Sequence, residues 1–203
     1  EHILSANINY QHDFAFGDFT PTLKMGGYTE YRTREYNTRL FIYSWKNGLP
    51  SNYRVMNVPD ELMQDKNYGE DKLYLLEQVD WRNNYEGNNM LGAGYAGVNL
   101  PFGKWNIYAG VRFEHSRMEL ISNTQKNEKS PTSVYYTYDD FFPSLNAAYR
   151  LNEQHQFRLS YGRTVNRPEF REVSSSVYYD FDLASNVQGN YDLKAAYIDN
   201  IGI

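Results

Sequence analysis

Between Ser144 and Thr164 the chain alternates apolar and polar residues in two runs, separated by Asn152-Glu153-Gln154-His155. In the first run Leu145, Ala147, Tyr149 and Leu151 share one face, with Ser144, Asn146, Ala148 and Arg150 on the other. In the second, Phe157, Leu159 and Tyr161 oppose Arg158, Ser160, Gly162 and Thr164. Successive side chains of a strand point to opposite faces, so a period of two predicts an antiparallel hairpin with one apolar face.

The same alternation predicts further strands over His2–Gln11, Thr22–Tyr43, Asn88–Leu100, Trp105–Leu120 and Leu193–Ile203, about seven in all. The cleanest is Trp105–Leu120, where Trp105, Ile107, Ala109, Val111 and Phe113 oppose Asn106, Tyr108, Gly110, Arg112, Glu114 and Ser116. Short turns, around Gly17-Asp18, Pro101-Phe102-Gly103 and Asn152–His155, alternate with long polar connections over 45–87, 121–137 and 166–191. Within the first of these, Glu70–Val79 reads as one or two helical turns. All the long connections therefore fall at one end of the sheet. That is the asymmetry of up-and-down outer-membrane barrels, whereas a Greek-key sandwich mixes loop lengths at both ends.

Charges at mid-strand sharpen the choice between lipid and a protein core as the partner of the apolar face. Lys24, Glu30, Arg112, Glu114, Arg150 and Arg158 all lie on the polar face. In a small dry core each would cost on the order of several kcal/mol unless paired, whereas a wet barrel lumen tolerates them. The expected fold is all-β, an antiparallel up-and-down transmembrane β-barrel segment filling residues 1–203. Seven strands do not close a barrel, and open edges cannot face lipid, so these residues are expected to be part of a larger one.

Composition agrees with this reading. The 203 residues include 20 Tyr, and aromatics make up 17%. Tyr and Trp suit wet–dry boundaries, and Phe102, Trp105, Tyr149 and Tyr161, near strand ends, are candidates for an interfacial belt. Mean hydropathy is −0.73, which leaves no helical span, though a barrel strand shows lipid only every second residue. A net charge of −5 argues against nucleic acid as a partner. The absence of Cys excludes disulfides and thiolate metal sites. Glu1-His2-Ile3-Leu4 lacks a signal-peptide pattern, which fits a mature or truncated start.

Four motifs in order resemble TonB-dependent outer-membrane receptors of the Bacteroidetes type, over about residues 85–200. Gly110-Val111-Arg112-Phe113-Glu114 resembles the family's G-[LV]-R-[YF]-E strand, and Phe142-Pro143-Ser144-Leu145-Asn146 its F-P-S-x-[NS] opening. Arg158-Leu159-Ser160-Tyr161, Arg163 and Asn166-Arg167-Pro168-Glu169-Phe170 are similar to its R-x-S-Y-x-R-x-x-x-R-P-x-F signature. Gly189-Asn190-Tyr191-Asp192-Leu193-Lys194 resembles G-N-P-x-L-K-P-E, with Tyr191 and Ala195 in place of Pro and Ala196 in place of Glu. The resemblance implies a barrel of about 22 strands around a plug, importing a siderophore, cobalamin, glycan or peptide with energy relayed by TonB. It implies outer-membrane lipid and TonB, through a plug segment, as partners, and leaves open a surface lipoprotein over the mouth.

Candidate residues have plainer roles beside the functional ones. Tyr108, Arg112, Glu114, Asn146, Arg150 and Arg158 would line the lumen, either as a hydrogen-bonded wall or along a ligand path. Arg167-Pro168 would end a strand, and Arg167 is either a rim residue bracing its loop or a ligand contact. Gly92-Ala93-Gly94-Tyr95-Ala96-Gly97 spells G-x-G-x-x-G but lies within a strand, without the helix that a dinucleotide site needs. The four His residues are scattered, and the acidic residues around Asp180 and Asp182 lack the fixed Gly and closing Glu of a Ca²⁺ loop. No cofactor, metal or catalytic motif is expected, and the chain is not read as an enzyme. Besides an active importer, two readings stay open: a passive porin-like barrel and a soluble all-β binding or adhesion module.

Overall fold

The computed structural model describes residues 1–49, 51 and 59–203. Its elements in chain order are β1 (His2–Asp13), β2 (Thr22–Tyr36), β3 (Leu40–Trp45), α1 (Pro59–Leu62), β4 (Leu73–Gln78), β5 (Tyr85–Phe102), β6 (Trp105–Asn123), β7 (Pro131–Arg150), β8 (Gln156–Asn166), β9 (Val177–Asp180), β10 (Ser185–Gln188) and β11 (Ala196–Gly202). Seven strands form one antiparallel sheet in the order β1-β2-β5-β6-β7-β8-β11. Every neighbour follows in the chain once the two long insertions are set aside, so this is an up-and-down meander. The sheet is not closed. The insertions carry hairpins of their own, β3–β4 and β9–β10.

Register fixes the faces. Ile8, Gly27, Gly94, Phe113 and Phe141 lie in one row across five strands. Exposed on this convex face are Ile8 at 74%, Phe141 at 65% and Val111 at 46%. Such a run of bare aliphatics and aromatics is the lipid-facing band of a membrane barrel. At its short-turn end Phe102, Trp105, Tyr149 and Phe157 form a second row, with the Trp105 and Tyr149 rings 4.7 Å apart. Tyr161 pairs with Leu145, four residues further along β8, and so lies outside that aromatic row.

Several expected boundaries are corrected. The connection expected over 121–137 shrinks to residues 124–130, because β6 continues to Asn123 and β7 begins at Pro131. Glu70–Val79 is not helical; its Leu73–Gln78 pairs as β4 with β3. The strand expected over Thr22–Tyr43 is two strands in different sheets. The last strand starts at Ala196 rather than Leu193. The first misreading has a physical cause. Above the lipid band the polarity of the two faces exchanges, with His115 and Asp139 paired on the outside at 2.7 Å while Met118 and Leu120 are buried inside. Alternation persists there, but in the opposite sense, so a pattern read for one apolar face breaks.

A charge on the band tests this assignment. Val111→Arg should cost about 2–4 kcal/mol, while Thr137→Arg, on the same face above the band, should cost about 0–1 kcal/mol. Urea unfolding of the lipid-reconstituted protein measures both. Equal costs at the two positions would mean that the convex face does not meet lipid.

Candidate functional site

The concave face gathers the polar half of each strand. Tyr108, Asn146 and Ser160 stand in one row with Asn99, and Arg158 and Gln156 lie beside them around a shallow polar pocket of about 310 Å³. Tyr108 lies flat along this wall. A Cβ added at Gly97 or Gly110 would meet its hydroxyl at 2.6 or 2.8 Å. Gly97, the last glycine of the G-x-G-x-x-G match, thus makes room in β5 for the Tyr108 ring of β6. Arg150 occupies the turn end of the same face, exposed. Loss of this charge with a polar group kept, Arg158→Gln, should leave thermal unfolding unchanged within about 0.5 kcal/mol. Marked destabilisation would mean that Arg158 is buried in the native barrel.

At the other end of the concave face the chain folds inward. The β7–β8 ladder stops at Ser144–Gly162, next to Pro143, which has no N–H to donate. Beyond that point β8 parts from β7 and leaves Asp140 without a strand neighbour on that side. Asn166-Arg167-Pro168 then ends β8, as a fixed φ and a missing donor require, and 167–176 returns over the inner wall.

Arg167 fastens the return. Its guanidinium donates to Glu114 Oε2 at 2.7 Å and to Asp140 Oδ2 at 2.8 Å. Glu114 also accepts from Arg112 Nε at 2.7 Å, and Asp140 accepts from the Tyr197 hydroxyl at 2.7 Å. Burial alone would pull the Arg167 pKa down, but the bonds to Asp140 and Glu114 raise it above its ordinary value. Two residues further on, Glu169 accepts from Arg32 at 2.9 Å, and Arg32 lies 5.5 Å from the centre of the Phe170 ring. Phe170 is 1% exposed and packs with Tyr85, Met118, Leu120 and Val173.

The far side of the return is held by the 81–83 turn. Ser175 Oγ donates to the Arg82 carbonyl at 3.0 Å, and Val177 N–H donates to Asn83 Oδ1 at 2.9 Å. Arg82 in turn hydrogen-bonds Asp80, which holds that carboxyl below its ordinary value despite partial burial. A depressed carboxylate stabilises above its unfolded value of about 3.9, and that contribution is lost as pH falls through the lower folded value. Hydrogen exchange of the Val177 amide, corrected for intrinsic rates, should therefore be flat from pH 8 to about 5 and rise only below about 4. A rise between pH 8 and 6 would assign the anchor to a different group.

Of the signature residues, Arg167, Pro168 and Phe170 form this return. Tyr161 donates to Asp199 at 2.8 Å, and Arg163 stacks on Tyr197 at 5.0 Å. Sequence reasoning did not find Asp140, Tyr197, Arg32 or Gly87, because each meets residues far away in the chain: Asp140 meets Arg167 and Tyr197, Arg32 meets Glu169, and Gly87 lies against the Phe170 ring. The one local signal was Pro143, which marks where the ladder opens.

A seven-stranded antiparallel meander with a bare apolar convex face, an aromatic row and a charged concave face defines an outer-membrane β-barrel protein. The chain belongs to the outer membrane protein beta-barrel family, whose model matches residues 1–203. Its place is the bacterial outer membrane, with lipid around the convex face. No curated protein matches the chain.

Proposed function

We propose that these residues are part of the barrel of a TonB-dependent outer-membrane receptor, which imports a large or scarce ligand past a plug. The observation that carries this reading is the signature 166–170, in which Arg167 and Phe170 draw the connection after β8 onto the lumen wall. Three further motifs accompany it in the order of that receptor class. Support also comes from the sheet edges. β1 and β11 each have one unpaired edge, and in lipid both need further strands. TonB, reached through a plug segment, is the partner this reading entails, and a surface lipoprotein over the mouth is left open. The concave wall of Tyr108, Arg112, Glu114, Asn146, Arg150 and Arg158 then lines the ligand's route. No chemistry is assigned to the chain, and no cofactor enters the reading.

Uptake decides between active and passive transport. Cells producing the full-length protein would be offered ferric chelates, cobalamin, oligosaccharides and peptides, with and without a protonophore and in a strain lacking TonB. Active import predicts accumulation of at least one probe that both treatments abolish. Equal flux of small solutes in all three conditions would establish a passive porin instead.

A further inference from the structure

The connection from β8 to β11 shapes a half-open pocket of about 450 Å³ between the returning segment and the β9–β10 hairpin. Pro168, Arg171 and Glu172 form one side, Tyr178 and Gln188 the hairpin side, and Lys194 the approach to β11. The walls of the pocket are held by their own bonds. Asn190 N–H donates to the Glu172 carbonyl at 2.6 Å, and the Glu172 carboxylate accepts from Glu169 N–H at 2.9 Å.

Charge in this pocket is unbalanced. Arg32, Arg82, Arg112 and Arg167 each have a carboxylate partner. Among the described residues Arg171 and Lys194 have none, and the single carboxylate of the lining, Glu172, is turned to a backbone N–H. Arg171 is nevertheless fixed, its guanidinium 3.4 Å from the centre of the Tyr178 ring. Its Nε is buried without a hydrogen-bond acceptor. A stacked guanidinium has already lost much of its rotamer freedom, so it grips an oxyanion at reduced entropic cost.

We propose that this pocket binds an oxyanion, a carboxylate or phosphate group, between Arg171 and Lys194. The inference deepens the import reading, on which only the fate of the bound ligand rests. Binding itself equilibrates in detergent without TonB, so the two readings fail separately.

Calorimetric titration of the full-length, detergent-solubilised protein tests the site, with citrate and pyrophosphate as probes and lipopolysaccharide in a parallel arm. Saturable binding that weakens as salt rises is expected. Arg171→Gln and Lys194→Gln should each lower affinity roughly tenfold, the loss expected for a charge-assisted hydrogen bond. Lys104→Gln, at the opposite end of the sheet, should change nothing. Lys194 is exposed, so its variant disturbs no packing and tests the site even if Arg171→Gln misfolds. Binding of citrate or pyrophosphate supports a soluble ligand, and binding of lipopolysaccharide alone assigns the oxyanion to a lipid headgroup. The proposal is overturned if none of the three binds, or if Lys194→Gln binds like the wild type. Loss of binding in Lys194→Gln with energy-dependent uptake intact would support the site and place it off the import route.

Discussion

Phe170→Ala should release the returning segment from the lumen wall while the sheet stays folded. Phe170 is 1% exposed, and its cluster of Tyr85, Met118, Leu120 and Val173 is the hydrophobic core of the described residues. Truncating a buried Phe costs about 3–5 kcal/mol. That loss falls on the local equilibrium, because the ladders of β5, β6 and β7 do not pass through the ring. The open form of 167–176 should thus rise on the order of a hundredfold or more. Limited proteolysis and hydrogen exchange of that segment report it, while urea unfolding of the barrel should move little. Gly87→Ala provides an independent approach to the same contact. A Cβ at Gly87 would meet Phe170 Cδ1 at 2.5 Å, so the ring must leave its seat. Once Phe170 is already Ala, Gly87→Ala should add almost nothing, as coupled neighbours behave in a double-mutant cycle. Additive effects of the two changes would show that Phe170 is not held against Gly87.

Arg167→Met removes the other fastening and is expected to be the second large effect. The side chains of Arg167, Glu114 and Asp140 retain 18%, 13% and 10% of their exposure. Stranding a carboxylate in a fully buried pair costs about 3–5 kcal/mol. Here the three side chains keep some exposure, Arg112 still bonds Glu114, and Tyr197 still bonds Asp140. The expected cost is about 2 kcal/mol, part of it borne by the β8 end where the strand parts from β7. The sign of a compensating change is the sharper test. Adding Glu114→Gln and Asp140→Asn to Arg167→Met removes the stranded charges and should recover most of the loss, because neutral groups are cheap to keep in a polar wall. Thermal unfolding of the single and triple variants measures this. A triple variant weaker than Arg167→Met alone would show that the carboxylates stabilise the return by some route other than Arg167.

The sequence by itself determined the meander and its two faces, since each follows from alternation within one strand, whereas the register between strands set the row that joins Phe102, Trp105 and Tyr149 with Phe157 rather than Tyr161. It also marked 166–170 as a strand end, because Pro168 fixes φ and removes a donor wherever it stands. The tertiary structure alone decided what those residues do. Arg167 reads as a rim residue until Glu114, 53 positions earlier, and Asp140, 27 positions earlier, come within hydrogen-bond reach. The extents of β6 and β7 were likewise illegible, because above the lipid the solvent lies outside and the packed return lies inside. Hydrophobic periodicity records which side is dry, and only the folded chain establishes that the dry side changes along the strand.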